Sequence, residues 1–413
     1  MIFRPLVKFK VTIILGSFRN SRKVSAITRI ATFLDSVVEL HIEQRAPHLV
    51  RVEYLFSPTL FTLVKALPAM QQLHTMHLSG LFLAETNLYC ILSSPHLTHL
   101  MLHSIHMPKM SRFPPPNPNL RKLTLESVSW DAAQPLIVHL VASLEYLEFY
   151  LCRFPFGPRS QPQLPPFPSL RELRHHKNYG NDAVLDEIFH VSQVTHLHLF
   201  GTLDSSRIAS FPKSLQHLST KDWMLTQRML GTAPLAQLIS LSIQRSREWE
   251  IGHHLERSAL VRDHFPGITS LHLDIGWSLR NVALVMARSQ RNVRAVELSI
   301  AAQGDLGSEG RRRLNQVETL NDYPQNNMLP GALQSLRLDV GQFYGELERS
   351  LALCTRWIDD DVIHPVTGLG GSDLKRIDIS FVLHHGNGFE RERKIWRRWA
   401  RSPNGDWQIE GAL

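Results

Sequence analysis

The stretch PHLTHLMLHSI, residues 95–105, decides the fold. Leu97, Leu100 and Leu102 set a frame L-x-x-L-x-L, with His96, His99 and His103 lying between and beside them. The same frame recurs as LHTMHL (Leu73, Met76, Leu78), LRKLTL (Leu120, Leu123, Leu125), LEYLEF (Leu144, Leu147, Phe149) and VTHLHL (Val194, Leu197, Leu199). It returns as LISLSI (Leu238, Leu241, Ile243), ITSLHL (Ile268, Leu271, Leu273), VRAVEL (Val293, Val296, Leu298), LQSLRL (Leu333, Leu336, Leu338) and LKRIDI (Leu374, Ile377, Ile379). Weaker copies start at Val37, Leu49, Leu170 and Leu215. From Leu73 to Leu238 successive starts differ by 24, 23, 24, 26, 24, 21 and 23 residues, and later intervals stretch to 30, 25, 40 and 41.

A frame of this kind at a period of 20–29 residues is the signature of leucine-rich repeats. One short strand and its return segment cannot bury their own apolar face, so neighbours stacked side by side bury it for each other. The expected fold is an α/β leucine-rich-repeat solenoid, a horseshoe with parallel strands on the concave face and helices on the convex face. The return segments read as helices at 83–94, at 181–192 with Asn181 as N-cap and Val184, Leu185, Ile188 and Phe189 inward, and at 278–289 with Ser278 as cap. The division expected is a basic capping segment at 1–36, containing a strand FKVTIIL and a helix SRKVSAITRIATFLDSV. The solenoid follows at 37–383 with insertions at about 301–330 and 355–373, and a basic capping tail closes the chain at 384–413. In the tail, FERERKIWRRWAR (389–401) reads as a helix with Ile395, Trp396 and Trp399 on one stripe.

Three residues beyond each frame, leucine-rich repeats usually place Asn or Cys. Here that position holds Leu81, Ile105, Val128, Cys152, Asn178, Thr202, Trp223 and Ser246, so a ladder of buried Asn is largely missing. Degenerate repeats of this kind resemble the repeat region of fungal F-box/leucine-rich-repeat proteins over roughly residues 37–383. That resemblance implies a substrate-recognition subunit of an SCF-type ubiquitin ligase, with a Skp1-type adaptor as a second partner. The F-box itself is not found: there is no L-P-x-E start followed by a helical bundle, and LPAM at 67–70 lies inside the repeats.

Composition narrows the function classes. Of 413 residues, 43% are hydrophobic and 20% charged, which are globular values. The net charge of +8 is concentrated at the ends: residues 1–34 hold seven bases and no acid, residues 389–401 six bases against Glu390 and Glu392. The stretch between is slightly acidic, which argues against a nucleic-acid groove. Cys90, Cys152 and Cys354 are far apart and form no C-x-x-C, which argues against a disulfide framework or a zinc ribbon. No Asn-x-Ser/Thr occurs, and VTIIL (11–15) is too short for a signal core or a membrane span. A cytoplasmic or nuclear protein is expected. Its acid-free, Arg/Lys-rich start also matches a transit peptide.

The histidines then read as a surface. Strand side chains alternate, so residues beside the last two apolar positions of each frame face the concave side. His99 and His103 stand about 13 Å apart along one strand, too far to share a metal. The same rule puts His77, His176, His196, His198, His217 and His272 on that face. His196, His198, His217 and Glu172 are a candidate zinc set, weighed against a metal-free His-rich face, with Arg174 as the expected neighbour of His198. GLGGSD (368–373) and DDD (359–361) read as loop, FPFGPRSQPQLPPFP (154–168) as a long loop or polyproline ligand, and no G-x-S-x-G or H-E-x-x-H occurs. The position after the third apolar residue reads Glu126, Tyr150, His176, Phe200, Lys221 in successive repeats. Tyr150, His176 and Phe200 should form a contiguous strip, with Tyr146 beside it and Glu148 and Glu172 as an acidic border for a partner protein. No catalytic residue and no cofactor is expected. The function expected is non-enzymatic protein recognition. The alternatives are a metal-binding or hydrolytic protein on the same scaffold and a truncated F-box protein.

Overall fold

A computed structural model describes residues 9–15, 34, 36–44, 58–108, 110–154, 164–178, 183–200, 211–220, 237–244, 267–274, 293–302, 332–343, 373–385 and 390–412. The chain divides into two compact units, Met1–Ser214 and Leu215–Leu413.

The first unit carries β1 (Phe9–Leu15), β2 (Val37–Gln44), β3 (Thr75–Ser79), β4 (His99–His103), β5 (Lys122–Glu126), β6 (Tyr146–Tyr150), β7 (Glu172–His176) and β8 (His196–Phe200). Each pairs in parallel with the next, in chain order. From β2 onward the register is that of the sequence frame: Leu100 stands against Leu123, Leu123 against Leu147, Leu147 against Leu173 and Leu173 against Leu197. All these leucines are fully buried, as are the frame starts Leu73, Leu97, Leu120, Leu144, Leu170 and Val194. Between them every second residue of β3, β4, β6, β7 and β8 is part-exposed, so one sheet face is core and the other is open. The chain is thus a leucine-rich-repeat α/β solenoid in its local architecture, with return segments covering the apolar face.

Four return helices are described: α1 (Pro58–Ala66), α2 (Glu85–Leu92), α3 (Trp130–Leu140) and α4 (Ala183–Val191). They bury Leu63 and Val64, Leu88 and Ile91, Leu136 and Ile137, and Leu185 and Ile188. The helices expected at 83–94 and 181–192 are α2 and α4, and Val184, Leu185, Ile188 and Phe189 all point inward. Asn181, the helix expected at 278–289, the copy at Leu49, residues 155–163 of the Pro-rich stretch and most of both insertions lie outside the described residues, as does most of the helix expected at 21–37, whose last residue, Val37, instead opens β2.

A left-handed turn follows β3 to β7, at Gly80, Ser104, Ser127, Leu151 and Lys177. Each donates its backbone N–H to the end of the next strand: Gly80 to His103 O, Ser104 to Glu126 O, Ser127 to Tyr150 O, Leu151 to His176 O and Lys177 to Phe200 O, at 2.7–3.3 Å. One residue further, Cys152 and Asn178 do what the repeat asks of them. Cys152 N–H donates to Asn178 Oδ1 at 2.7 Å, and Asn178 Nδ2 donates to Phe149 O at 3.2 Å. Where that residue is apolar, backbone pairing satisfies the chain instead. His106 N–H donates to Leu81 O and Leu83 N–H to His106 O, and Arg153 N–H donates to Val128 O and Trp130 N–H to Arg153 O. This is why the repeats tolerate loss of the Asn ladder.

Gly80 alone of these five turns needs glycine for space: a Cβ there would sit 2.6 Å from Gln44 O, a backbone atom that cannot swing away. Gly80→Ala should destabilise by roughly 2 kcal/mol or more, the left-handed strain adding to the clash. Ser104→Gly, which only relieves strain, should change stability by under about 1 kcal/mol. Urea denaturation of both variants checks this; equal midpoints would remove the Gln44 contact from the account.

The second unit carries β9 (His217–Thr220), β10 (Ser240–Gln244), β11 (Ser270–Asp274), β12 (Ala295–Ala302), β13 (Ser335–Phe343) and β14 (Arg376–His385), again parallel and in order. Leu218, Leu241, Leu271, Leu336 and Ile377 hold the buried second position of the frame. The basic tail corrects the sequence reading. It is not a helix but a strand, β15 (Glu390–Arg401), antiparallel to β14, followed by β16 (Trp407–Ala412), antiparallel to β15. The reason is the open edge of β14, whose row of backbone donors and acceptors a strand can pair and a helix cannot. Trp399 is buried against its register partner Ile377.

Candidate functional site

The open face of the first unit is three columns of outward residues, one per strand position. Reading from β3 to β8, the column after the third apolar residue runs Ser79, His103, Glu126, Tyr150, His176, Phe200. The strip expected from the sequence is contiguous. Ring centroids lie 6.0 Å apart for Tyr150 and His176 and 4.6 Å apart for His176 and Phe200, and both pairs are tilted. Lys221, its expected continuation, lies outside the described residues.

The middle column binds the strip to its neighbours. Glu148 accepts from Tyr146 Oη at 2.5 Å and from Thr124 Oγ1 at 3.4 Å, and its other oxygen lies 3.5 Å from His176 Nε2. Burial pushes the Tyr146 hydroxyl's pKa up, and its donation to Glu148 adds to the rise, so the phenol stays a donor. Arg174 stands opposite Glu148 in register but gives its guanidinium to Glu172, at 2.7 and 2.8 Å, and lies 5.3 Å from the Tyr146 ring centroid. Lys122 approaches the same ring at 6.0 Å. All six residues expected to meet a partner are therefore in one patch, and Thr124, Arg174 and Glu126 belong to it as well. Arg174 was legible as a neighbour of His198 but not as the partner of Glu172.

The candidate zinc set behaves differently. His198 Nε2 lies 3.6 Å from Glu172 Oε1, and burial, then the Arg174 charge, lower its pKa to about 4. His196 Nδ1 is 3.0 Å from Thr195 Oγ1, and His217 is in the second unit. Among the described residues no three His, Cys, Asp or Glu side chains are grouped to hold a metal ion.

At the other end of the face, His77 stacks on His41 at 4.1 Å with planes 10° apart, and lies 6.4 Å from His103. Stacked imidazoles aim their lone pairs along parallel planes, so they do not converge on one ion. Burial, then repulsion from His41 and His103, lowers the pKa of His77 to about 4. His99, 3.2 Å from Thr124 Oγ1, is also lowered, by burial and then by Lys122. His41 lies between Leu40 and Ile42 in the weak copy that starts at Val37, in register with His77, so the same counting places it on this face.

One buried histidine interrupts the core instead. His175 occupies the third apolar position of β7, between Phe149 and Leu199 in register, and stacks on Phe154 at 5.7 Å. Burial, then the His176 charge, lowers its pKa to about 3, so it is neutral in the folded protein.

The middle column of the second unit is a ladder of charge. His272 lies 3.8 Å from Glu297, and Arg337 lies 3.7 Å from Glu297 and 3.6 Å from Asp378. Asp378 also takes Arg376 at 2.6 Å and Arg398 of β15 at 2.8 Å. Burial alone would raise the Asp378 pKa, but hydrogen bonds from Arg376 and Arg398 outweigh it and hold the carboxyl below its usual value. This ladder fastens β15 to the parallel sheet.

No family model and no curated protein matches the chain. Among solved structures, the leucine-rich repeat-containing protein LegL7 from Legionella pneumophila is similar over 92% of each chain, at 14% identity and a TM-score of 0.35.

Proposed function

We propose that the chain is a non-enzymatic scaffold that holds a partner protein on the open face of its first unit, centred on Tyr150, His176 and Phe200. The observation that supports this most is the alignment of three rings on three consecutive strands of a hydrogen-bonded sheet. Rings held this way lose little side-chain entropy on docking, and aromatic residues dominate interface hot spots. In its finer form the scaffold selects substrates for an SCF-type ubiquitin ligase in the cytoplasm or nucleus and works with a Skp1-type adaptor. Support for that form is the resemblance of the degenerate repeats to those of F-box/leucine-rich-repeat proteins.

The test is affinity purification of the full chain with mass spectrometry, repeated with Tyr150→Ala and Phe200→Ala combined. All three rings are part-exposed, so each change should cost under about 1 kcal/mol of stability. Partner affinity should fall by more than about 2 kcal/mol. A folded double variant that captures the same partner at full strength would refute the strip. A Skp1-type adaptor among the captured proteins supports the ligase form, and its absence sinks that form alone.

A further inference from the structure

Tyr146 and Tyr150 sit four residues apart at the two ends of β6, facing the same way, in opposite electrostatic surroundings. Tyr146 has its cations from within the chain: Arg174 at 5.3 Å and Lys122 at 6.0 Å from the ring centroid. Tyr150 has none among the described residues. Its cross-strand neighbour on β5 is Glu126, and Glu148 precedes it by two on its own strand. The ion-pair partners of these two carboxylates among the described residues are histidines, His103 for Glu126 at 3.7 Å and His176 for Glu148 at 3.5 Å. The Arg174 guanidinium, on the strand beyond, is committed to Glu172 at 2.7 Å. Tyr150 therefore shares its part of the open face with two carboxylates, and among the described residues no cation stacks on its ring.

We propose that Tyr150, Glu126 and Glu148 form a receptor for an arginine or lysine side chain of the partner protein. This rests on the open-face reading above and specifies its chemistry. A ring face attracts a cation through its quadrupole, and Arg174 over Tyr146 is the same contact made internally. Flanking carboxylates add charge complementarity, which sets specificity and on-rate. His176 and Phe200 continue the ring surface on the far side of Tyr150 and would meet the apolar stem of the incoming side chain or its neighbour. The partner segment is thus basic with adjoining apolar groups.

The probe is a fluorescein-labelled dodecapeptide of alternating arginine and serine, with a citrulline-for-arginine version that keeps shape and removes charge. Binding to the full-length chain is read by fluorescence anisotropy at low and at about physiological salt. The arginine peptide should bind at least about tenfold more tightly than the citrulline peptide, and salt should weaken it. Tyr150→Leu should weaken it by about tenfold, Tyr150→Phe should retain it, and Glu126→Gln with Glu148→Gln should weaken it by about tenfold. Glu39→Gln, an acid on the same face already paired with Lys10 at 2.8 Å, should change it by less than about twofold. Thermal melts establish that each variant is folded; should Tyr150→Leu fail to fold, the carboxylate pair decides. Equal binding of the two peptides overturns the proposal, as does wild-type binding by both Tyr150→Leu and the carboxylate pair. If the purified partner binds the carboxylate pair normally yet is lost by the Tyr150→Ala and Phe200→Ala variant, the cation receptor fails and the scaffold stands.

Discussion

Deleting residues 389–413 should make the protein aggregate. The deletion removes β15 and β16 and uncovers the edge of β14 along Arg376–His385. A long unpaired edge is a template for pairing with another copy. The same cut removes Trp399, buried opposite Ile377, and takes Arg398 from the buried carboxylate of Asp378. Losing a buried Trp costs about 3–5 kcal/mol by itself, and the lost charged hydrogen bond adds about 1.5–3 kcal/mol. Light scattering and a thermal melt of the truncated chain check this. A truncation that is monodisperse and melts with the full-length protein would show that the hairpin caps nothing.

Acid should destabilise the protein through its neutral histidines, and His175→Leu should remove the largest share. A histidine whose folded-state pKa lies below its unfolded value binds its proton more readily in the unfolded chain. Its contribution is therefore complete above about pH 6.5 and is lost as pH falls towards the folded value. For His175 that window runs from 6.5 to about 3, and for His77 and His198 from 6.5 to about 4. Between pH 6.5 and about pH 4, His175 alone accounts for roughly 3 kcal/mol. Leucine restores the third apolar position that Phe149 and Leu199 hold on the adjacent strands. His175→Leu should be more stable by about 1–2 kcal/mol at neutral pH, since a buried polar ring gives way to an apolar side chain. The gap should widen to roughly 4 kcal/mol or more near pH 4. Urea denaturation at both pH values measures the gap, and parallel losses in the two proteins would locate the acid sensitivity elsewhere.

The repeat was legible because its frame combines two constraints, period 2 within the strand and a constant interval between strands. Leu100, Leu123, Leu147, Leu173 and Leu197 could be aligned by counting alone, and the open-face columns followed from them. The tail was misread because Ile395, Trp396 and Trp399 suit a helical stripe, while Glu-Arg-Glu-Arg also alternates as a strand does; the neighbouring edge decides between them. α3 went unnoticed because Pro135 lies inside it and lacks the N–H a helix interior uses. Within the site, positions were legible and partners were not. Counting puts Arg174 opposite Glu148, but its side chain turns along its own strand to Glu172, and no sequence pattern records that rotamer.

The forward-reaching donors of Gly80, Ser104, Ser127, Leu151 and Lys177 give the first unit a direction of growth. Each turn is completed by the strand after it, so a repeat is a socket for its successor as well as a plug for its predecessor. A duplicated stretch running from one turn to the next brings both halves of the joint with it, and a gene could lengthen here by whole units without orphaning a donor. A fraction of a unit would leave one unmatched. The antiparallel β14–β15 pairing has no such joint, so inheritance of additional repeats is open between β3 and β8 and closed beyond His385.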